Sequence, residues 1–201
     1  MFDVQPITLN EGETAFPTSS FHIDEQGWCA QVRQLPSPNY TARPDDACID
    51  LLVIHNISLP AGVFGLQHVG DLFLNQLDYA AHPSFASLQG VEVSSHFFID
   101  RAGQITQFVA TTERAWHAGL SEFQGRSACN AFSIGIELEG TDDTDFTQAQ
   151  YQSLIPLTRA IQLRHPIAHI VGHSDIAPGR KTDPGPHFNW AHYQQLLEQL
   201  G

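Results

Sequence analysis

Three polar residues stand at the ends of short apolar runs. His55 follows Ile49-Asp50-Leu51-Leu52-Val53-Ile54, Glu137 lies in Ser133-Ile134-Gly135-Ile136-Glu137-Leu138-Glu139, and His173 follows Ile167–Val171 and Gly172. The end of a strand holds a side chain rigidly while leaving it at a cleft. Two imidazoles and one carboxylate, with water in the fourth position, make an open catalytic zinc site. His55, His173 and Asp183 can supply that set. Spacing alone leaves other His/Asp choices open, because no H-E-x-x-H motif links the candidates. Downstream of His173, Pro178, Gly179, Pro184, Gly185 and Pro186 exclude a helix and favour a stiff loop. In an extended stretch Lys181 and Asp183, two apart, share a side.

The other candidates have plainer readings. His82 precedes Pro83 and reads as a solvated turn residue. His96 and His117 sit beside aromatic residues and read as hydrogen-bonded structural histidines. His165, His169, His187 and His192 fall beside or within helices, and His22 lies near the start. Taken singly, Trp116 reads as core, Glu139 as a solvated strand residue, Lys181 as a surface lysine and Asp183 as a turn residue before Pro184.

The elements that must position these groups are legible in outline. The run at 49–54 is short, β-branched and apolar, as in a strand buried on both faces. Val69, Leu72, Phe73 and Leu77 have helical spacing, which predicts a helix near Val69–Tyr79. Phe97-Phe98-Ile99 and Gln104–Val109 flank Arg101-Ala102-Gly103, which predicts a hairpin. Residues 133–139 alternate, with Ile134, Ile136 and Leu138 on one face and Glu137 and Glu139 on the other. Thr147-Gln148-Ala149-Gln150 fits a capping box, followed by an amphipathic helix that ends before Pro166. Ile167–Val171 predicts another strand. Trp190, Tyr193, Leu197 and Leu200 mark a closing helix. Residues 1–20, polar with Pro6, Gly12 and Pro17, read as an irregular extension, and 21–201 as one domain. Strands mixed with helices, a hairpin among them, predict an α/β (α+β) domain built on a mixed sheet.

Composition narrows the partners. The chain has 201 residues, with 9 Lys+Arg against 22 Asp+Glu, a formal net charge of −13. Such a chain repels phosphate backbones, which argues against a nucleic-acid partner. It also argues against a polybasic membrane-surface binder. No apolar run approaches the ~18 residues of a membrane span. Cys29, Cys48 and Cys129 are odd in number and widely spaced, which suits a reducing cytoplasm better than a disulfide framework. The first residues show no signal-peptide pattern, which points the same way.

Several segments together resemble a known family. They are Pro36-Ser37-Pro38-Asn39-Tyr40, Leu52–Pro60, Ala115-Trp116-His117-Ala118-Gly119, Phe132–Thr141 and Gly172–Pro186. On these the chain resembles the zinc-dependent N-acetylmuramoyl-L-alanine amidases of the AmpD type. That family is shared with phage-type amidases and peptidoglycan recognition proteins. The resemblance spans roughly residue 25 to 200. It implies helices packed on a central mixed sheet and one zinc ion held by His55, His173 and Asp183. It implies Glu137 and Lys181 as the catalytic pair, selecting Glu137 over Glu139. It implies Asn56 and Trp116 as substrate-cleft residues. Close relatives tend to carry a second arginine where this chain has Ala128, so a basic substrate contact would fall to Arg126 or Arg180. The implied substrate is a small muropeptide, cleaved in cytoplasmic peptidoglycan recycling with no obligate protein partner. The competing readings are a secreted or lytic amidase acting on intact wall, and a non-catalytic peptidoglycan-binding module.

Overall fold

The protein is described by a computed structural model over residues 21–199. The expected extension at 1–20 and the expected contribution of Leu200 lie outside the described residues. In chain order the strands are β1 (Arg33–Gln34), β2 (Tyr40–Thr41), β3 (Leu51–Ile57), β4 (Phe97–Ile99), β5 (Ile105–Gln107), β6 (Arg114–Ala115), β7 (Glu122–Phe123), β8 (Arg126–Ser127), β9 (Ser133–Glu139) and β10 (His169–Gly172). The helices are α1 (His68–Phe73), α2 (Gln148–Arg164), α3 (His173–Ile176) and α4 (Trp190–Gln199).

Six strands form one mixed sheet in the order β1-β5-β4-β9-β3-β10. The pairs β4–β9, β9–β3 and β3–β10 are parallel, and β4–β5 is the expected antiparallel hairpin. Parallel strands are covered on both faces, which is why β3 reads as an unbroken apolar run and Leu51 through Ile54 are fully buried. On one face Leu52, Ile54, Ile134, Ile136 and Leu138 pack with Leu154, Leu157 and Ile161 of α2 and Tyr193 of α4. Full burial of each such side chain contributes roughly 1.5–3 kcal/mol. The Tyr193 hydroxyl lies 2.8 Å from Thr158 Oγ1 and ties α4 to α2. On the opposite face, Leu51 and Val53 pack with Ala118, Cys129, Phe132 and Ile176.

The predicted elements hold, with shifted ends and one correction. Thr147 caps α2 through the expected capping box with Gln150. The helix predicted near Val69–Tyr79 stops at Phe73. Asn75 takes a left-handed φ of 57°, and the N–H groups of Asn75 and Gln76 donate to Leu72 O and Asp71 O. That is a Schellman ending, with asparagine in the position glycine usually fills. The strand predicted at Ile167–Val171 begins at His169 and runs to Gly172. The correction concerns Glu139, expected to be solvated. It is 2% exposed. Its Oε1 accepts the Gly65 N–H at 2.5 Å and its Oε2 the Arg101 N–H at 3.0 Å. Both partners are too distant in sequence for a strand pattern to reveal.

Candidate metal centre and catalytic cleft

The parallel register builds the site. His55 of β3 sits opposite Glu137 of β9, and Glu137 sits opposite Phe98 of β4. Gly172 of β10 pairs with Ile54, so His173, one residue further, arrives beside His55. All three polar groups thus stand at the carboxyl ends of parallel strands, where open α/β sheets place their ligands.

Asp183 comes back to this point through a tight turn. After α3, a single turn, the chain loops through Pro178 and Gly179 to a cis Asp183–Pro184 peptide. The Ser174 N–H donates to Asp183 O at 2.9 Å. Pro184 packs so closely on Gly172 that a Cβ there would lie 2.7 Å from its Cδ. Glycine before the histidine is therefore a packing requirement.

Three ligand atoms converge as a result. His55 Nδ1 and His173 Nδ1 are 3.0 Å apart. Asp183 Oδ2 lies 3.1 Å from the first and 3.0 Å from the second. Among the described residues this is the only group of three His, Cys, Asp or Glu side chains close enough to share an ion. A tetrahedral zinc with bonds of ~2.0–2.1 Å sets its donors about 3.3 Å apart, so the triangle is close to the size required. His173 Nε2 lies 3.1 Å from Ala118 O. A carbonyl only accepts, so this nitrogen carries the proton and Nδ1 presents a lone pair to the triangle. Two imidazoles and one carboxylate also have the donor chemistry of a zinc site.

Glu137 borders the triangle, its Oε1 4.0 Å from His55 Nδ1. Its Oε2 is buried and finds no hydrogen-bond partner among the described residues. Burial and the charge of Asp183 push this carboxyl well above the usual carboxylate range, and the Lys181 ammonium opposes them. Burial also acts to raise the carboxyl of Asp183, but the His173 and His55 rings beside it outweigh that and hold Asp183 well below that range. His55 is pushed down to about 4, chiefly by burial. Lys181 is exposed and lines an open cleft of ≈ 410 Å³ with Asn56, Asp142, Arg180 and Asp183.

The remaining sequence candidates separate. Asn56 lines the cleft, but its amide hydrogens are engaged by Asp142 Oδ1 at 2.8 Å and Pro184 O at 3.0 Å, so it also braces the Asp183 loop. Trp116 is half-buried and directly precedes His117. Arg126 has partners of its own. It pairs with Asp50 at 2.9 Å and lies over the Phe132 ring at 4.0 Å. Asp50 precedes β3 at the end opposite His55, roughly 16 Å away at ~3.3 Å per residue. Arg180 is nearer the site, donating to Ala118 O and Leu120 O at 2.7 and 2.6 Å.

His117 is hydrogen-bonded, as its sequence context suggested, but its partner is a candidate ligand. His117 Nδ1 lies 2.9 Å from His55 Nε2. The available signal was Gly135, a glycine inside an otherwise strong strand, which marks a close approach. A Cβ at Gly135 would lie 2.5 Å from His117 Nδ1.

Comparison with known proteins agrees with this geometry. Residues 44–186 match the N-acetylmuramoyl-L-alanine amidase family, Amidase_2. The chain belongs to this family of amidases. It is 52% identical over 177 residues to the Escherichia coli K12 protein named 1,6-anhydro-N-acetylmuramyl-L-alanine amidase AmpD, covering 87% of this amidase and 97% of that protein. A crystal structure of a selenomethionine AmpD derivative superimposes with a TM-score of 0.84 at 52% identity, covering 86% of this chain and 98% of the other. The Escherichia coli amidase AmiD, solved with anhydro-N-acetylmuramic acid-L-Ala-D-γ-Glu-L-Lys, matches at 33% identity and a TM-score of 0.55, over 87% of this chain and 65% of that one. The family and the fold are those the sequence motifs implied. Among the described residues, no helix is long and apolar enough to cross a membrane.

Proposed function

We propose that this amidase hydrolyses the amide joining (1,6-anhydro-)N-acetylmuramic acid to L-alanine of the stem peptide, with one zinc ion, in cytoplasmic peptidoglycan recycling. The observation that carries the reading is the triangle of His55 Nδ1, His173 Nδ1 and Asp183 Oδ2 beside an unpartnered Glu137 oxygen. The likeness to AmpD over nearly its whole length supports the choice of bond and sugar. The amidase domain takes in residues 21–201, with 1–20 as an extension.

Zinc in a His₂Asp set supplies Lewis acidity: it polarises a carbonyl and acidifies water towards a pKa of ~7. His55, His173 and Asp183 would hold it. Glu137 acts as the general base. Its raised affinity for protons suits it to accept one from water near neutral pH and to return it to the leaving nitrogen. Lys181, in the cleft and close enough to act on the Glu137 charge, stabilises the oxyanion of the tetrahedral state. Asn56 lines the cleft, and Trp116, next to His117 in sequence, is the second proposed substrate contact. The formal charge of −13 does not favour an anionic stem peptide, so the local cations govern its approach. The substrate is a small muropeptide, and no nucleic-acid, membrane or obligate protein partner enters this reading.

The test is mass spectrometry of 1,6-anhydro-N-acetylmuramyl-tripeptide incubated with zinc-loaded and chelator-stripped protein. Free tripeptide and anhydro-sugar should appear with zinc only. Intact substrate in both samples, from folded zinc-loaded protein, overturns the recycling reading. Isolated wall sacculi in the same assay report whether intact peptidoglycan is the substrate instead.

A further inference from the structure

We infer that His117, anchored by Ser133 and seated over Gly135, is a positioning residue that fixes the tautomer and ring orientation of His55. The inference rests on the metal-dependent reading above. It follows from counting protons along a buried chain of hydrogen bonds.

The chain starts at a carbonyl, which can only accept. Ser133 Oγ donates to Cys129 O at 2.7 Å. A hydroxyl has one proton, so Ser133 can only accept from His117 Nε2, 3.1 Å away. Nε2 of His117 therefore carries a hydrogen. The ring is buried and none of its hydrogen-bond partners is a carboxylate, which keeps it neutral. Its Nδ1 is then a bare acceptor, aimed at His55 Nε2 from 2.9 Å. His55 must donate from Nε2. That leaves His55 Nδ1 with a lone pair, facing His173 Nδ1 and Asp183 Oδ2.

The alternative state is specific. If His55 carried its proton on Nδ1, that N–H would donate to Asp183 Oδ2, 3.1 Å away. The proton would occupy the space between the donors, and a metal would have to displace it. His117 removes that competitor by demanding the proton on the far side of the ring. Outer partners of metal-binding histidines act in this way, and their loss typically costs 10–100-fold in metal affinity.

The backbone is cut to receive the ring. A Cβ on residue 135 would lie 2.5 Å from His117 Nδ1 and 2.6 Å from its Cγ. The Gly135 N–H donates to His96 Nδ1 at 3.0 Å, so the strand is pinned on the side where His117 rests. Seating, anchoring and pairing with His55 thus converge on one imidazole.

The test has two readouts. In metal-free wild-type protein, long-range ¹H–¹⁵N spectra of the imidazole nitrogens should show His55 and His117 both protonated on Nε2. A Nδ1–H form at either ring overturns the inference, and no variant is needed for this result. Zinc affinity, measured by competition with a chromogenic chelator, should weaken by about 10–100-fold in His117→Phe. His117→Asn, whose carboxamide oxygen can stand in for Nδ1, should recover most of that loss, which a purely packing role would not produce. Wild-type affinity in a folded His117→Phe overturns the inference while leaving the zinc reading intact. If wild-type protein binds no zinc, the zinc reading fails, and the tautomer spectra still decide the pairing.

Discussion

His55 and Glu137 are register partners on adjacent parallel strands, with His55 Nδ1 4.0 Å from Glu137 Oε1. One residue of register thus puts an imidazole ligand atom and a carboxylate base on the same sheet face. The strands fix that separation and the side chains need not search for it. Such preorganisation is what a general base beside a metal centre requires.

Glu137→Gln keeps the shape and removes the base. Turnover should fall by about 10²–10⁴ while zinc remains bound. Stability should move the other way. The Glu137 carboxyl is raised well above its ordinary value, first by burial and then by Asp183. A raised carboxyl favours the fold at low pH and loses that contribution as pH rises past the ordinary value near 4.5. The metal-free Gln variant should therefore unfold at higher urea than metal-free wild type at pH 7. Near-native kcat would remove Glu137 from the mechanism.

Lys181→Met removes an exposed ammonium from the cleft wall. Loss of one oxyanion donor costs about 10²–10³ in rate. The drop should appear in kcat with zinc stoichiometry unchanged. Measured rates within threefold of wild type would rule out the oxyanion role.

Asp183→Asn and chelation should have the same consequence by different routes. Either one takes a ligand set out of action, so both should abolish turnover. Zinc at ~1,000 times its Kd adds about 4 kcal/mol to the folded state. For a chain of this size that is a rise of roughly 10 °C in Tm. Calorimetry of wild type with and without zinc, beside Asp183→Asn, should show the rise only in wild type with zinc. An equal rise in Asp183→Asn would exclude it as a ligand.

Glu139 tests the same strand two residues on. Its carboxylate holds the N–H groups of Gly65 and Arg101, and Glu139→Ala leaves both without that acceptor. An unsatisfied buried donor costs about 1–3 kcal/mol, so the variant should lose about 2 kcal/mol or more in urea unfolding. Neighbouring glutamates should thus give opposite stability effects. A neutral Glu139→Ala would mean that solvent satisfies both donors.

Those two glutamates show what a sequence conveys and what it withholds. Alternation in 133–139 correctly placed both on the face opposite Ile134 and Ile136, because side-chain period is local geometry. It could not tell a base from a clamp, because Gly65 and Arg101 reach Glu139 only after folding. The apolar run of β3, the hairpin and the Thr147 capping box were legible for the same local reason. The ligand triangle was legible only as candidates, since register, and not spacing, unites His55 and His173. Resemblance to a family supplied the choice. Arg126 has a partner that spacing could not reveal, since Asp50 lies 76 residues away at the far end of β3. His117 was legible as a hydrogen-bonded histidine but not as the partner of His55, because the slot that receives it is a glycine on another strand.

Acid should destabilise the protein in a window to which His165, away from the cleft, contributes. His165 is 6% exposed, with Nε2 2.8 Å from Thr111 Oγ1. Burial, then the charges of Arg164 and Arg43, lower its pKa from 6.5 to about 4. Below pH 6.5 the unfolded chain takes up a proton that the folded ring refuses, so stability falls with pH until about 4, where the folded ring also titrates. Integrated from pH 7 to pH 4.5, this one group costs about 2 kcal/mol. His165→Gln retains an amide able to reach Thr111 and does not titrate. It should start less stable or equal at pH 7 and lose about 2 kcal/mol less than wild type by pH 4.5. Urea titrations of the metal-free proteins at the two pH values give the difference directly. Parallel losses in both proteins would show that His165 is not a source of the acid sensitivity.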